Sequence, residues 1–223
     1  MKAVDDALAV LRKGRERSDA VMVAYSDGKD SRAILDMCAR TFSRVEAFFM
    51  YLVPGLACVE EGLEWARRRY NLKIHQYPHW LLSRLIRQDV YRLNFHTLDG
   101  FPEWKVADLY RAAMAESGIR LVATGAKKAD SQWRKRNLAS TAGYDYLLQP
   151  VREWSKTEVL AYLRSQGLPI PPSSNRSATG IDLSTPSLLW LHDTYPEDFR
   201  RVCEVFPMAE AVVWRRKWHG VEA

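Results

Sequence analysis

The chain has 223 residues, 47% hydrophobic and 27% charged, a balance that gives one main globular domain enough apolar surface for a core and excludes a disordered or collagen-like chain. No apolar run approaches the roughly 18 residues that span a bilayer, and the Asp-, Lys- and Arg-rich N-terminus lacks a signal-peptide core, so a cytoplasmic location with no membrane partner is expected. The net charge of +6 suits a polyanionic ligand but is too mild and dispersed to establish nucleic-acid binding.

In chain order, periodicity predicts an amphipathic helix over 2–13, a strand over 20–25, a helix over 32–40, a strand over 45–53, a helix over 59–70 and a short strand over 72–76. Residues 78–88 read as helical, 91–102 as irregular, and 103–117 as a helix stopped by Gly118. Strands over 119–124 and 144–149 follow, then a helix over 156–166 with Ser155 or Thr157 as N-cap and Gly167 as stop. This alternation predicts a doubly wound α/β fold with a mainly parallel sheet and flanking helices, because parallel strands need crossover connections. Pro169, Pro171, Pro172 and the polar run 173–180 break regular structure, and 186–214 reads as helix interrupted at Pro196 and Pro207. The expected organisation is a nucleotide-binding domain over 1–172, then a mobile segment and helical C-terminal extension over 173–223. No internal repeat or low-complexity tract interrupts this pattern.

The most informative stretch joins the first strand to the second helix: Tyr25-Ser26-Asp27-Gly28-Lys29-Asp30-Ser31. Unpaired N–H groups at a helix start carry partial positive charge and receive anions. Gly28 allows close approach of the main chain, Ser26 and Ser31 offer hydroxyl donors, and Lys29 adds a full charge. A Walker A loop is excluded, since Val23 and Asp30 stand where that motif needs Gly and Ser or Thr.

The segment resembles the PP-loop, Ser-x-Gly-Lys-Asp-Ser, of the ATP pyrophosphatase superfamily, which includes the ATP sulfurylase small subunit and the phosphoadenosine phosphosulfate (PAPS) reductases. Gly125, Asp130, Ser131 and Arg134 are similar to the second signature of the PAPS reductase family, within a basic run that also holds Lys127, Lys128, Lys135 and Arg136. A third match, Pro150 to Trp154 followed by a helix ending Gly167-Leu168-Pro169, resembles the same family in the same order. In a doubly wound sheet the first two loops could face one ligand.

The resemblance implies an adenine nucleotide: ATP, which Lys29 favours, or PAPS or APS, with Mg²⁺ expected alongside. Ser26, Asp27, Gly28, Lys29, Ser31, Gly125 and Lys128 are the expected nucleotide contacts, while Lys29, Asp30 and Arg134 carry the chemistry. Lys128 and Arg134 would hold a second anion, a small oxyanion or sulfur acceptor. Asp27 departs from the usual Gly; beside phosphates it must point away, hold a metal-bound water or contact the substrate.

Reductase chemistry is in doubt because the C-terminal tail lacks the family's nucleophilic Cys. Cys38, Cys58 and Cys203 are widely spaced and odd in number, without Cys-x-x-Cys, so no disulfide framework, zinc site or iron–sulfur cluster is expected. The preferred activity is cleavage at the α-phosphate with pyrophosphate release, in sulfate activation or sulfur transfer. One alternative is a PAPS or APS reductase with a non-standard cysteine, Cys58 being the best placed. Another is a non-catalytic nucleotide-binding subunit of a nucleic-acid-modification system, for which the basic tail with Trp214 and Trp218 is the feature. A partner subunit or homo-oligomer stays open, and each Trp is by default a core residue.

Overall fold

The structure is a computed structural model that describes residues 2–92, 102–141, 143–171 and 182–220. Five parallel strands lie in the order β3-β2-β1-β4-β5, namely β1 (Ala20–Ala24), β2 (Arg44–Tyr51), β3 (Ile74–Pro78), β4 (Val122–Thr124) and β5 (Leu147–Leu148). The order runs outward from β1 in both directions, so the chain reverses between β1 and β4. In doubly wound sheets such a switch point, at the carboxyl ends of the two strands, is where ligands bind.

Ten α-helices occur among the described residues: α1 (Lys2–Arg15), α2 (Lys29–Thr41), α3 (Ala57–Tyr70), α4 (Trp80–Arg87), α5 (Val106–Ser117), α6 (Gln132–Ser140), α7 (Lys156–Ser165), α8 (Thr185–Thr194), α9 (Pro196–Val205) and α10 (Glu210–His219). Strand alternation divides the core. Val21 and Val23 of β1 face the cluster built with Leu11 of α1, Ile34 and Leu35 of α2, Leu63 of α3 and Val159 and Leu163 of α7. Met22 faces the other side, with Phe48, Val122 and Ala113 of α5. Both faces are therefore covered, as a parallel sheet requires.

A third cluster joins α8, α9 and α10 to the loop after β2, through Leu188, Leu191, Phe199, Val202 and Phe206 against Val53 and Leu56. Asp198 of α9 completes the joint. Its carboxylate accepts from the N–H groups of Ala57 (2.8 Å) and Cys58 (2.9 Å), capping α3 from 140 residues away in sequence. The proline breaks expected at 196 and 207 do separate these helices.

Several boundaries move for local reasons. β3 begins two residues later than its pattern suggests, because Asn71 closes α3 in the left-handed conformation and the chain must turn back before it can pair. β5 shrinks to Leu147–Leu148: a turn from Tyr144 to Leu147 precedes it and Pro150, lacking an N–H, ends the ladder. Ser155 is the α7 N-cap in a capping box with Glu158. The segment expected to be mobile, 173–180, lies outside the described residues, as does most of the irregular stretch 91–102. No helix among the described residues is long and apolar enough to cross a membrane.

Candidate functional site

The PP-loop segment begins where β1 ends, with Tyr25 N–H donating to Phe48 O as the last rung toward β2. Gly28, the α2 N-cap, has no side chain to accept the first-turn N–H groups. The two serines organise the turn: Ser31 Oγ donates to Gly28 O at 2.9 Å and accepts from Ser26 N–H at 3.2 Å, with the Ser26 hydroxyl 3.4 Å away. Lys29 Nζ rests on Asp30 Oδ2 at 2.9 Å. Ser26, Gly28, Lys29 and Ser31 thus stand together around one helix start.

Asp27 points away from that helix start. It holds φ +56°, in the left-handed region where a non-glycine residue is strained, and its carboxylate turns back beneath the loop. There Oδ1 accepts from Tyr25 Oη at 2.7 Å and Arg32 Nε at 2.8 Å, with Arg32 Nη2 also at 2.7 Å. Burial first, then the Asp27 carboxylate, pushes the Tyr25 phenol well above its ordinary range, so it stays a donor. The carboxylate occupies the space beside Gly62 of α3, where a Cβ would fall 1.9 Å from Asp27 Oδ2.

Arg32 is only 6% exposed. Its guanidinium packs over the Trp65 ring at 4.2 Å and donates to Pro169 O at 3.0 Å, tying the PP-loop to the Gly-Leu-Pro end of the third motif. Behind it, Asp36 of α2 accepts from Tyr162 Oη (2.6 Å), Tyr70 Oη (3.0 Å) and Arg40 Nε (2.8 Å), fixing α2 against α7 and α3.

The second motif meets the first as the topology suggests. Gly125 follows β4, and a Cβ there would stand 3.0 Å from the main-chain carbon of Asp30, so glycine permits this approach. The basic side chain that reaches the PP-loop is Lys127. It is 1% exposed, and its Nζ lies 2.7 Å from Asp30 Oδ1 and 2.8 Å from Asp130 Oδ1. The short 3-10 turn Lys128–Asp130 rotates the next lysine outward, where Lys128 Nζ pairs with Glu153 Oε1 at 2.5 Å.

Arg134 lies on the first turn of α6, whose N-cap Ser131 accepts from Arg134 N–H at 3.0 Å. Burial pushes the Tyr110 phenol of α5 above its ordinary value, and the charge of Arg134 opposes that rise.

Trp154 of the third motif is buried and donates from Nε1 to Ala3 O at 3.1 Å, so it anchors α1. Trp214 and Trp218 stand 50% and 70% exposed on α10, with Lys217 Nζ 5.4 Å and 5.9 Å from their ring centroids. No thiol is activated. Burial raises the pKa of Cys38 and of Cys203, and burial with the neighbouring Asp198 carboxylate raises that of Cys58.

Sequence reasoning missed Lys127, Arg32 and Gly62. Lys127 lay in a run of basic residues with nothing local to mark it. Arg32 sits on the polar side of a predicted helix, and Gly62 matters only because Asp27 occupies its empty side-chain position.

Among solved structures, the NH3-dependent NAD synthetase of Campylobacter jejuni aligns over 100% of this chain and 96% of its own, with a TM-score of 0.50 and 16% identity. The FMN adenylyltransferase of Candida glabrata, solved in complex with ATP, has a TM-score of 0.50 and 14% identity over 76% of this chain and 56% of its own. The PAPS reductase of Candida auris, in a phosphate complex, has a TM-score of 0.45 and 16% identity over 72% and 81%. A search of the curated proteins finds no match in sequence. The model of the phosphoadenosine phosphosulfate reductase domain matches residues 20–181, from the first strand through all three motifs. With a β1–α2 phosphate-type loop facing the Gly125 loop across the switch point of a parallel sheet, the chain belongs to the phosphoadenosine phosphosulfate reductase domain family of PP-loop proteins.

Proposed function

We propose that the chain binds ATP at the β1–α2 crevice and supports attack of an acceptor oxygen on the α-phosphorus, with pyrophosphate leaving. The observation that carries this reading is the uncapped start of α2, ringed by Ser26, Gly28, Lys29 and Ser31 and closed on its far side by Gly125. The bond that forms joins the acceptor oxygen to the α-phosphorus; the bond that breaks joins that phosphorus to the bridging oxygen, which departs with its electron pair on pyrophosphate. Lys29, the serine hydroxyls and the α2 N–H groups oppose the charge that develops there. Asp30 holds Lys29 at the loop, and Arg134, on the first turn of α6 just after the Gly125 loop, suits the second anion.

Two expected contacts change under this reading. Asp27 is turned from the nucleotide, and Lys128, paired with Glu153, is left out of the ligand set. The loop's carboxylates do not fit a magnesium ligand set, because Asp27 is taken by Arg32 and Tyr25 and Asp30 by Lys29 and Lys127. No step is therefore routed through a metal. The raised thiol pKa values and the ATP-type lysine favour adenylation over sulfonucleotide reduction.

Calorimetric titration of ATP into wild type and Lys29→Ala tests the assignment. A charge-assisted contact is worth about 1.5–3 kcal/mol, so the variant should bind roughly tenfold or more weakly. Equal affinity overturns the role of Lys29, and no binding by wild type overturns the nucleotide reading.

A further inference from the structure

We infer that the outward face of α10 is a docking surface for single-stranded nucleic acid, whose bases stack on Trp214 and Trp218 and whose phosphates meet Arg215 and Lys217. The two indoles stand 50% and 70% exposed, although tryptophan is by default a core residue. They are four residues apart and so share one side of the helix, about 6 Å from each other along its axis. The opposite side of α10 holds the fold together. Val212 is buried in the cluster with α8 and α9, Val213 packs against it, and Arg216 pairs with Asp193 of α8 at 2.6 Å. Packing therefore does not account for the two rings, and truncating them leaves those contacts in place.

The charge on this face selects the partner. Arg215 and Lys217 are exposed beside the rings, and Lys217 Nζ lies 5.4 Å and 5.9 Å from the two ring centroids, so cations and stacking surface form one patch. Glu210, the sole acidic residue of α10, lies near Cys203 of α9. A second copy of the chain, docking this patch on itself, would bring Arg215 and Lys217 against their own counterparts. A bilayer surface rewards a broad aliphatic face, and both valines of α10 are committed to the core. Single-stranded nucleic acid matches both features, since every base has a face to stack and every link a phosphate. A duplex does not, because its own stacking covers the base faces. The α8–α10 unit is seated on Val53 and Leu56, in the loop that leaves the carboxyl end of β2. The strand is thus held at the same end of the sheet as the β1–α2 crevice.

The test follows fluorescence anisotropy of a labelled oligothymidylate of about 16 nucleotides with the full chain at low salt. The proteins are wild type, Trp214→Ala/Trp218→Ala and Arg215→Gln/Lys217→Gln. Wild type should bind, and the tryptophan variant should bind roughly tenfold or more weakly. The charge variant should reduce the slope of log affinity against log salt by about 1.4, the value for two phosphate contacts on a single strand. A duplex of the same length should compete far less well. Wild type that leaves the oligonucleotide unbound up to about 100 μM protein overturns the inference, as does equal binding by the tryptophan variant. Tryptophan-dependent binding to phosphatidylserine vesicles, or a tryptophan-dependent dimer in sedimentation, in place of oligonucleotide binding, overturns it in favour of a membrane or a second copy. All four side chains are exposed, so urea unfolding of both variants should match wild type. ATP titration of the same proteins keeps this inference apart from the nucleotide reading. Unchanged ATP affinity beside weakened oligonucleotide binding supports a surface outside the crevice, and parallel losses overturn it. Wild type that binds the oligonucleotide but not ATP refutes the nucleotide reading and leaves the α10 comparison standing.

Discussion

Arg32 Nη2 lies 2.7 Å from Asp27 Oδ1, and this ion pair turns a carboxylate that would repel phosphate into part of the floor beneath the loop. The pair also holds Asp27 at φ +56°, a backbone state that costs a non-glycine residue about 1 kcal/mol or more. Arg32 has three partners on three different segments, Asp27, Trp65 and Pro169, so one guanidinium fixes the PP-loop, α3 and the end of the third motif.

Breaking either half of that pair should be expensive and breaking both much less so. Arg32→Met leaves the Asp27 carboxylate with Tyr25 alone, and Asp27→Gly leaves a buried guanidinium without its counter-charge. Each should cost about 3–5 kcal/mol, with Asp27→Gly recovering about 1 kcal/mol of backbone strain. The double variant should fall short of the sum by more than about 1 kcal/mol in urea unfolding. Additive losses would show that the two residues act separately.

Gly62 gives an effect that should change sign with its background. In wild type, a methyl at this position collides with Asp27 Oδ2 at 1.9 Å, so Gly62→Ala must expel the carboxylate from its pairing with Arg32 and destabilise the protein. In the Asp27→Gly background the obstacle is gone, and alanine within α3 should stabilise by up to about 1 kcal/mol through helix propensity. Thermal unfolding of the four proteins measures this, and a loss of equal size in both backgrounds would refute the contact.

These relationships mark where the sequence stops being legible. The PP-loop, the β1–α2 junction and the Gly125 loop could be read because their chemistry is local and a doubly wound topology puts the loops together. The choice between Lys127 and Lys128 could not, because a single 3-10 turn decides which of two adjacent lysines faces inward. Arg32 with Pro169 and Asp198 with α3 join positions more than a hundred residues apart, and no periodicity encodes them. The pattern over 144–149 overextends β5, because apolar residues 146–148 look strand-like whether or not a partner ladder continues.

On β3, His75 sits between two glutamates, Nδ1 2.7 Å from Glu116 Oε1 and Nε2 2.7 Å from Glu46 Oε2. Burial opposes ionisation of Glu46, but hydrogen bonds from His75 and Arg44 outweigh it and hold that carboxyl below its ordinary 4.5. Glu116 is held below the same value by Tyr77 first and then His75. Carboxyls depressed in the folded state stabilise it fully above about 4.5 and lose that contribution as the pH falls through the lower folded value. Wild type should therefore exceed His75→Gln in stability most clearly at pH 6, and the gap should narrow toward pH 3. Urea unfolding across that range is the check, and a gap that widens in acid would contradict the assignment.

The last prediction is that no cysteine is required for turnover. A sulfonucleotide reductase needs a thiolate that attacks the sulfonate sulfur and displaces the nucleotide, so its thiol must ionise near neutral pH and meet the substrate. All three thiols here are shifted the wrong way. Cys38 is fully buried on α2 and raised by burial alone; Cys203 is raised on α9 by burial and Glu210. Cys58 is the instructive case, because a helix N-terminus normally lowers a thiol's pKa. At the start of α3 the Asp198 carboxylate already accepts the Ala57 and Cys58 N–H groups, cancelling that help and adding a like charge beside the sulfur. A variant with Cys38→Ser, Cys58→Ser and Cys203→Ser should keep pyrophosphate release from ATP within about twofold of wild type, provided its circular dichroism matches. It is assayed beside wild type for thioredoxin-dependent sulfite release from PAPS, where neither protein should turn over. Sulfite release by wild type that disappears with Cys58→Ser alone would replace the adenylating reading with a reductase, and would require that sulfur to be activated against its surroundings.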